Sequence, residues 1–208
     1  MAVAMKYVGD GAIKKLLERH GCPTPFHVVR MRFLGEIASP ALGISPTKSI
    51  ESFWPNGMPE FDSQAEVEKL YGGLMGLWNH LARHQGGVPV KLHEMSKLRT
   101  WEDLAGGLRM RHEEVDAFVD GLAVTGMEAM VSAPLMKAIS NLQRLADLLS
   151  EAEAAIADSA QETKGASLPD GENALRDHSA SIEKMLSAVV MVSADLRRDM
   201  VAKPKRLH

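Results

Sequence analysis

A single cysteine, Cys22, stands among the 208 residues. That excludes an intrachain disulfide framework and any zinc site built from four cysteines. Aromatic residues make up only 5%, and Val, Ile and Thr do not gather into alternating runs, so nothing suggests a sheet. Long apolar runs are missing too. The N-terminus turns polar at Lys6, before the apolar core of a signal peptide develops. The most apolar later stretch, from Gly121 to Ile139, is interrupted by Glu128 and Pro134 and is too short to cross a bilayer. The expectation is a cytoplasmic protein without a membrane contact. The formal charge of −3 argues against a surface given over to nucleic acid.

What is present is the balance of a globular chain, 45% hydrophobic and 25% charged. Methionine is plentiful at 13, a residue that fills irregular gaps between helices. Helix punctuation is clear along the first two-thirds. Asp10 is placed to cap a helix reaching about His20, which Gly21 and Pro23 would stop. Thr24 followed by Pro25 predicts a second start, running to about Ala38. A turn-rich segment holds one short helix, from Thr47 to Phe53. Ser63 with Glu66 three residues on reads as a capping box. It opens a helix whose apolar positions are Val67, Leu70, Tyr71, Leu74, Trp78 and Leu81. Gly72, Gly73 and Gly76 weaken that helix by roughly 1 kcal/mol each relative to alanine, a cost that a close backbone crossing would justify. Gly86 and Gly87 end it. Thr100 caps a further helical region that runs through Val115, Phe118, Val119 and Leu122, as one helix or as two parting near Gly106 and Gly107.

The last third changes character. Leu135, Leu142, Leu149 and Ile156 recur every seven residues, as do Leu175, Ile182, Val189 and Leu196. A polar linker at about 159–172 separates the two stretches. Two heptad-patterned helices joined in this way predict an antiparallel hairpin. The expected fold is therefore all-α, a multi-helix bundle over 1–131 with a C-terminal helical hairpin over 132–208.

The run "LGISPTKSIESFWPNGMPEFDSQAEVEKLYGGLMGLWNHLA" resembles the YecA/YgfB-like family of bacterial proteins. The resemblance rests on Pro40, Pro46, Ile50, Trp54, Phe61 and Ser63, and on the pair Trp78 and Asn79. The upstream "RMRFLGEIASP" is similar to the family's opening helix, and "FVDGLAVTGM" places Phe118 and Gly121 where a later family helix has matching residues. The likeness covers residues 26 to 130 and implies an all-α fold. It implies no reaction, because the family shares no established one. One branch carries a C-terminal SEC-C zinc motif tied to the protein-export motor. This chain ends "AKPKRLH" and lacks that motif's cysteines, so that partner does not carry over.

Several residue groups invite chemistry. His80 and His84, four apart on a continuous helix, would share a face and offer two ligands to zinc or a similar metal. The alternative is a polar helix end beside Arg83 and Gln85. His112, Glu113, Glu114 and Asp116 suit acid–base work in a cleft, or a solvated helix start. Cys22 lies between His20 and His27 in the turn "HGCPTP", as a nucleophile or as a turn residue without chemistry. Lys6, Lys14, Lys15, Arg19, Arg30 and Arg32 give residues 1–34 a basic bias that raises a helix-turn-helix reading. Against it, Phe26, Val29 and Phe33 mark the second helix as buried.

The heptad stripe of Leu175, Ile182, Val189 and Leu196 is the candidate interaction surface, for a second copy or another protein, if it is not packed internally. The sequence thus favours a non-enzymatic interaction or regulatory protein, dimeric through helix packing and needing no cofactor. A metal-binding protein or enzyme using His80 and His84 is the alternative, and a DNA-binding regulator using the N-terminal helices is a further one.

Overall fold

A computed structural model of the protein describes residues 6–41, 44–95, 97–122, 131–159 and 169–202. Seven α-helices and no strand occur among them: α1 (Asp10–Arg19), α2 (Phe26–Ala38), α3 (Pro46–Ser52), α4 (Gln64–Leu81), α5 (Trp101–Leu122), α6 (Ala133–Ser159) and α7 (Pro169–Ala202). A 3₁₀ turn, Ala82–Gly86, continues α4. The fold is all-α and multi-helical, as the periodicity predicts.

The helix starts follow their capping chemistry closely. Glu66 N–H donates to Ser63 Oγ at 3.3 Å, and the Glu66 carboxylate accepts from Asp62 N–H at 3.2 Å, one residue before the usual return arm of the box. Asp103 N–H donates to Thr100 Oγ1, while its carboxylate accepts from the N–H groups of Arg99 and Thr100. Two starts differ from expectation. Asp10 is the first residue of α1 rather than its cap. The cap position is Gly9, at φ 94°, and the Asp10 carboxylate accepts from the Tyr7 hydroxyl. Thr24 does not cap α2; its hydroxyl donates to Phe53 O at 3.1 Å, and Pro25 holds the cap position in extended geometry. Helix α5 passes Gly106 and Gly107 without a break.

Helix α2 organises the packing. Val29, Met31, Phe33 and Leu34 are fully buried; they point in several directions round the helix, so most of its circumference is covered, with Arg32 and Glu36 on the partly exposed side. It crosses α5 backbone to backbone at Gly35 and Gly121. A Cβ added to Gly35 would overlap Phe118 O and lie 3.0 Å from Gly121 Cα. Of the α4 glycines, Gly76 has the close backbone approach that the sequence suggests, and Gly73 and Gly72 do not. An added Cβ on Gly76 would meet Lys6 O at 2.9 Å and one on Gly73 the Leu16 side chain, while Gly72 faces open space.

Both heptad stripes turn inward. Leu135, Leu142, Leu149, Leu175, Ile182 and Val189 are buried, and Ile156 and Leu196 pack partly buried against the same cluster. That cluster also holds Ile13, Phe33, Leu77 and Phe118, so the core is continuous across the sequence boundary at 131/132. Helix α6 lies chiefly along α5 and touches α7 less extensively. Most of the linker placed at 159–172, and the end of "FVDGLAVTGM", lie outside the described residues.

Candidate functional site

The two candidate metal ligands meet different neighbours. His84 is 8% exposed, and its Nδ1 lies 2.8 Å from Val88 O. Burial first, then the Arg30 and Arg83 charges, hold its pKa below the ordinary value. His80 stacks on Tyr7, ring centroids 3.9 Å apart, and Arg83 Nη2 sits 2.6 Å from its Nδ1. A guanidinium in that place opposes a metal cation. The one-face geometry assumes α-helix through residue 84, but the α-helix ends at Leu81 and His84 lies in the tighter turn. Among the described residues no group of three or more His, Cys, Asp or Glu side chains is placed to hold a metal. His93, on the loop that follows, packs its ring against Phe26 at 5.7 Å.

The acidic cluster of α5 becomes three separate ties. Glu113 reaches α2, where its Oε2 lies 2.6 Å from His27 Nε2. His112 Nδ1 lies 3.0 Å from Ala146 O on α6, and its Nε2 lies 3.4 Å from Asp116. Glu114 is fully buried and pairs with Arg111, itself 3% exposed. Arg111 also donates to Ser179 Oγ on α7 at 2.9 Å and to His93 O at 2.8 Å, and Glu114 accepts from His93 N–H at 2.8 Å. Buried charges persist when paired and fully hydrogen-bonded, and this pair is both. It anchors an extended strap, residues 88–95, across α7. There Val90 N–H donates to Ser187 Oγ and Leu92 N–H to the Glu183 carboxylate. Glu113 thereby ties α5 to α2 and Glu114 ties it to the strap, while Asp116 stays on α5 with His112. Arg111 carried no sequence signal except its place: it shares the buried stripe of Leu108, Val115 and Phe118.

Cys22 opens on a cleft of about 240 Å³ lined also by His27, His93, Met110, Lys14 and Glu18. Its thiol donates to Thr24 O and Phe53 O at 3.6 and 3.7 Å. Burial pushes its pKa up, which keeps the proton on sulfur and disfavours the nucleophilic thiolate. Of the basic N-terminal residues, Arg30 is buried and Arg32 pairs with Glu36 at 3.5 Å. Most of helix α2, the core's central element, faces inward, and its partly exposed Arg32 is offset by Glu36.

The candidate interaction stripe faces inward. Leu175, Ile182 and Val189 are no more than 1% exposed, so α7 uses that face against its own chain, and Leu196 is partly covered there too. The open apolar surface lies elsewhere. A groove of about 640 Å³ runs between the end of the strap, the start of α5 and the end of α6. Met95, Leu98, Trp101, Met110 and Ile156 line it, all of them partly exposed. On its rim Arg109 pairs with Glu153 at 2.6 Å, while Lys97 and Glu102 are exposed. A second hollow of about 470 Å³ continues on the far side of Met95, Lys97 and Leu98, towards Arg176 and Ala180 of α7.

No protein-family model, curated protein or solved structure matches this chain.

Proposed function

We propose that this protein is a non-enzymatic interaction module of the cytoplasm, a divergent YecA/YgfB-like chain that takes an apolar helical segment of a partner protein into the groove beside Trp101. The observation that carries the reading is the groove itself. Five large apolar side chains line a concavity that the chain's own core leaves partly uncovered. Its volume falls in the range of built binding sites, and its two methionines adapt to more than one apolar shape. An amphipathic helix lays one face into such a groove. Lys97 and Glu102, of opposite sign on the rim, suit flanking charges of both signs on that helix.

Capture of the tagged full-length protein from its native cells, compared with Leu98→Glu and Leu148→Glu, tests this. Leu148 is 51% exposed on α6 and does not line the groove, so it serves as the surface control. The expected result is a partner retained by wild type and Leu148→Glu and lost from Leu98→Glu, with all three equally folded by circular dichroism. Identical recovery from all three refutes the groove. Light scattering on the purified protein separates the remaining occupant: a dimer abolished by Leu98→Glu would put a second copy in the groove.

A further inference from the structure

Five fully buried side-chain polar atoms among the described residues have no hydrogen-bond partner, and three of them gather at one place: Arg32 Nε, Glu36 Oε2 and Arg197 Nε. Glu36 and Arg197 both line a cavity of about 190 Å³ beside the last turn of α2. Arg32 Nε stands 3.5 Å from the other Glu36 oxygen, Oε1. The Glu36 side chain is only 10% exposed. Its neighbour Ser49 turns its hydroxyl to Ser45 O at 3.2 Å. Arg197 comes from α7 and donates through Nη2 to Ile37 O and Ser39 O. Gln85 Nε2 donates to the same Ile37 O at 2.6 Å. Among the described residues no carboxylate pairs with Arg197.

Two opposite needs therefore meet at the walls of one cavity. Glu36 Oε2 lacks a donor and Arg197 Nε lacks an acceptor, and each such buried group costs free energy until it is paired. They do not satisfy each other. One occupant that donates to the first and accepts from the second resolves both. The space exceeds the roughly 30 Å³ share of a single water, and a cavity of about 150 Å³ already holds a six-membered ring. Its other walls include Ile37, Trp78 and Ala82, which offer water little and an apolar group good contact. Oε2 is covered as the side chain stands, but the terminal torsion of a glutamate is soft and two-fold. Turning the carboxylate presents it to an occupant without moving the helix.

We propose that this cavity binds a small zwitterion, a free α-amino acid with a short apolar side chain. Its ammonium donates to the Glu36 carboxylate, its carboxylate accepts from the Arg197 guanidinium, and its side chain lies against Trp78 and Ile37. Both polar contacts are charge-assisted, the stronger class of hydrogen bond. Burial pushes the Glu36 pKa up, and an ammonium beside it offsets that burial by favouring the ionised form. The site shares no lining residue with the Trp101 groove and does not depend on that groove having a partner.

The test uses full-length protein with labelled indole nitrogens, the Trp78 resonance being assigned from Trp78→Phe. It is titrated at neutral pH and fixed ionic strength with L-alanine and L-valine, then with each in N-acetyl form, which removes the ammonium, and in amide form, which removes the carboxylate. The expected result is a saturable shift of the Trp78 resonance with at least one free amino acid at millimolar concentration. Each blocked form is expected to bind roughly tenfold more weakly or worse, because it loses one charge-assisted contact. Glu36→Gln should weaken the free amino acid and leave the N-acetyl form unchanged; Arg197→Lys should weaken the free amino acid and leave the amide unchanged. The blocked ligands need no variant, so the test stands if a substituted chain fails to fold. No saturable shift with either amino acid, or blocked forms that bind as tightly as the free ones, overturns the proposal. So does a response unchanged in both variants.

Discussion

Replacing Gly35 with alanine perturbs this fold at its tightest point. On an unobstructed helix the change stabilises by about 1 kcal/mol, because glycine is the more flexible residue when unfolded. At Gly35 the new methyl group would overlap Phe118 O and approach Gly121 Cα to 3.0 Å. Both obstacles are backbone atoms of α5, which cannot rotate aside as a side chain would. Helices α2 and α5 must part by roughly 1 Å, and a gap of that size forfeits about a quarter to a half of the dispersion attraction between facing atoms. The facing atoms belong to Phe33, Leu34, Phe118 and Leu122, all fully buried. Overpacking against so rigid a neighbour costs about 3 kcal/mol, the upper part of the usual range. Subtracting the propensity gain leaves a net loss of about 2 kcal/mol, which for a chain of this size lowers Tm by about 4–8 °C. Gly106→Ala is the control: it too lies in a helix, with nothing within 4 Å of the added atom, and should raise stability by up to about 1 kcal/mol. Thermal unfolding followed by circular dichroism measures both. A Gly35→Ala protein as stable as wild type, or more so, would refute the close crossing.

Three further outcomes are expected. Ile182→Ala should cost about 2–5 kcal/mol because its side chain is sealed in the shared core, whereas Leu148→Ala should stay within about 0.5 kcal/mol; equal, small effects in denaturant melts would mean that the α7 stripe is not internal. Arg111→Met alone should cost about 3–5 kcal/mol by stranding buried Glu114, and adding Glu114→Leu should recover most of it; a double variant no better than the single one would show that the pair is not the source of the loss. His80, His84 and His93 all have folded pKa values below the ordinary 6.5, burial being the first cause. Their stabilisation is therefore fully present above about pH 6.5 and is lost as the pH falls through the folded values. Tm should drop on acidification from pH 7 to 5.5, and less steeply in His84→Gln; a flat profile, or one that rises towards acid, contradicts neutral histidines held by partial or full burial.

Local chemistry was readable and long-range pairing was not. The Ser63–Glu66 and Thr100 caps each require residues three apart, and both form. The heptads reported truly which faces of α6 and α7 are apolar. A period records that a face must be covered, not what covers it, so Leu175, Ile182 and Val189 did not reveal that α7 packs on its own chain. The Gly35–Gly121 crossing joins positions too far apart for any local pattern to link. Of the candidate site residues, His80 and His84 were found by spacing, and the change from α to 3₁₀ geometry after Leu81 removed the premise of that spacing. Arg30 and Arg111 were the charges worth pursuing. Each sits on an apolar face, Arg30 between Val29 and Met31 and Arg111 in step with Leu108 and Val115. A cation placed there needs a partner, as Arg111 has in Glu114.

The interaction reading is tested most directly by hydrogen–deuterium exchange on the purified full-length protein, alone and with its captured partner. Binding in the groove predicts new protection confined to the end of the strap, the first turns of α5 and the last turns of α6, around Leu98, Trp101 and Ile156. Protection elsewhere, with those segments exchanging as in the free protein, would contradict it.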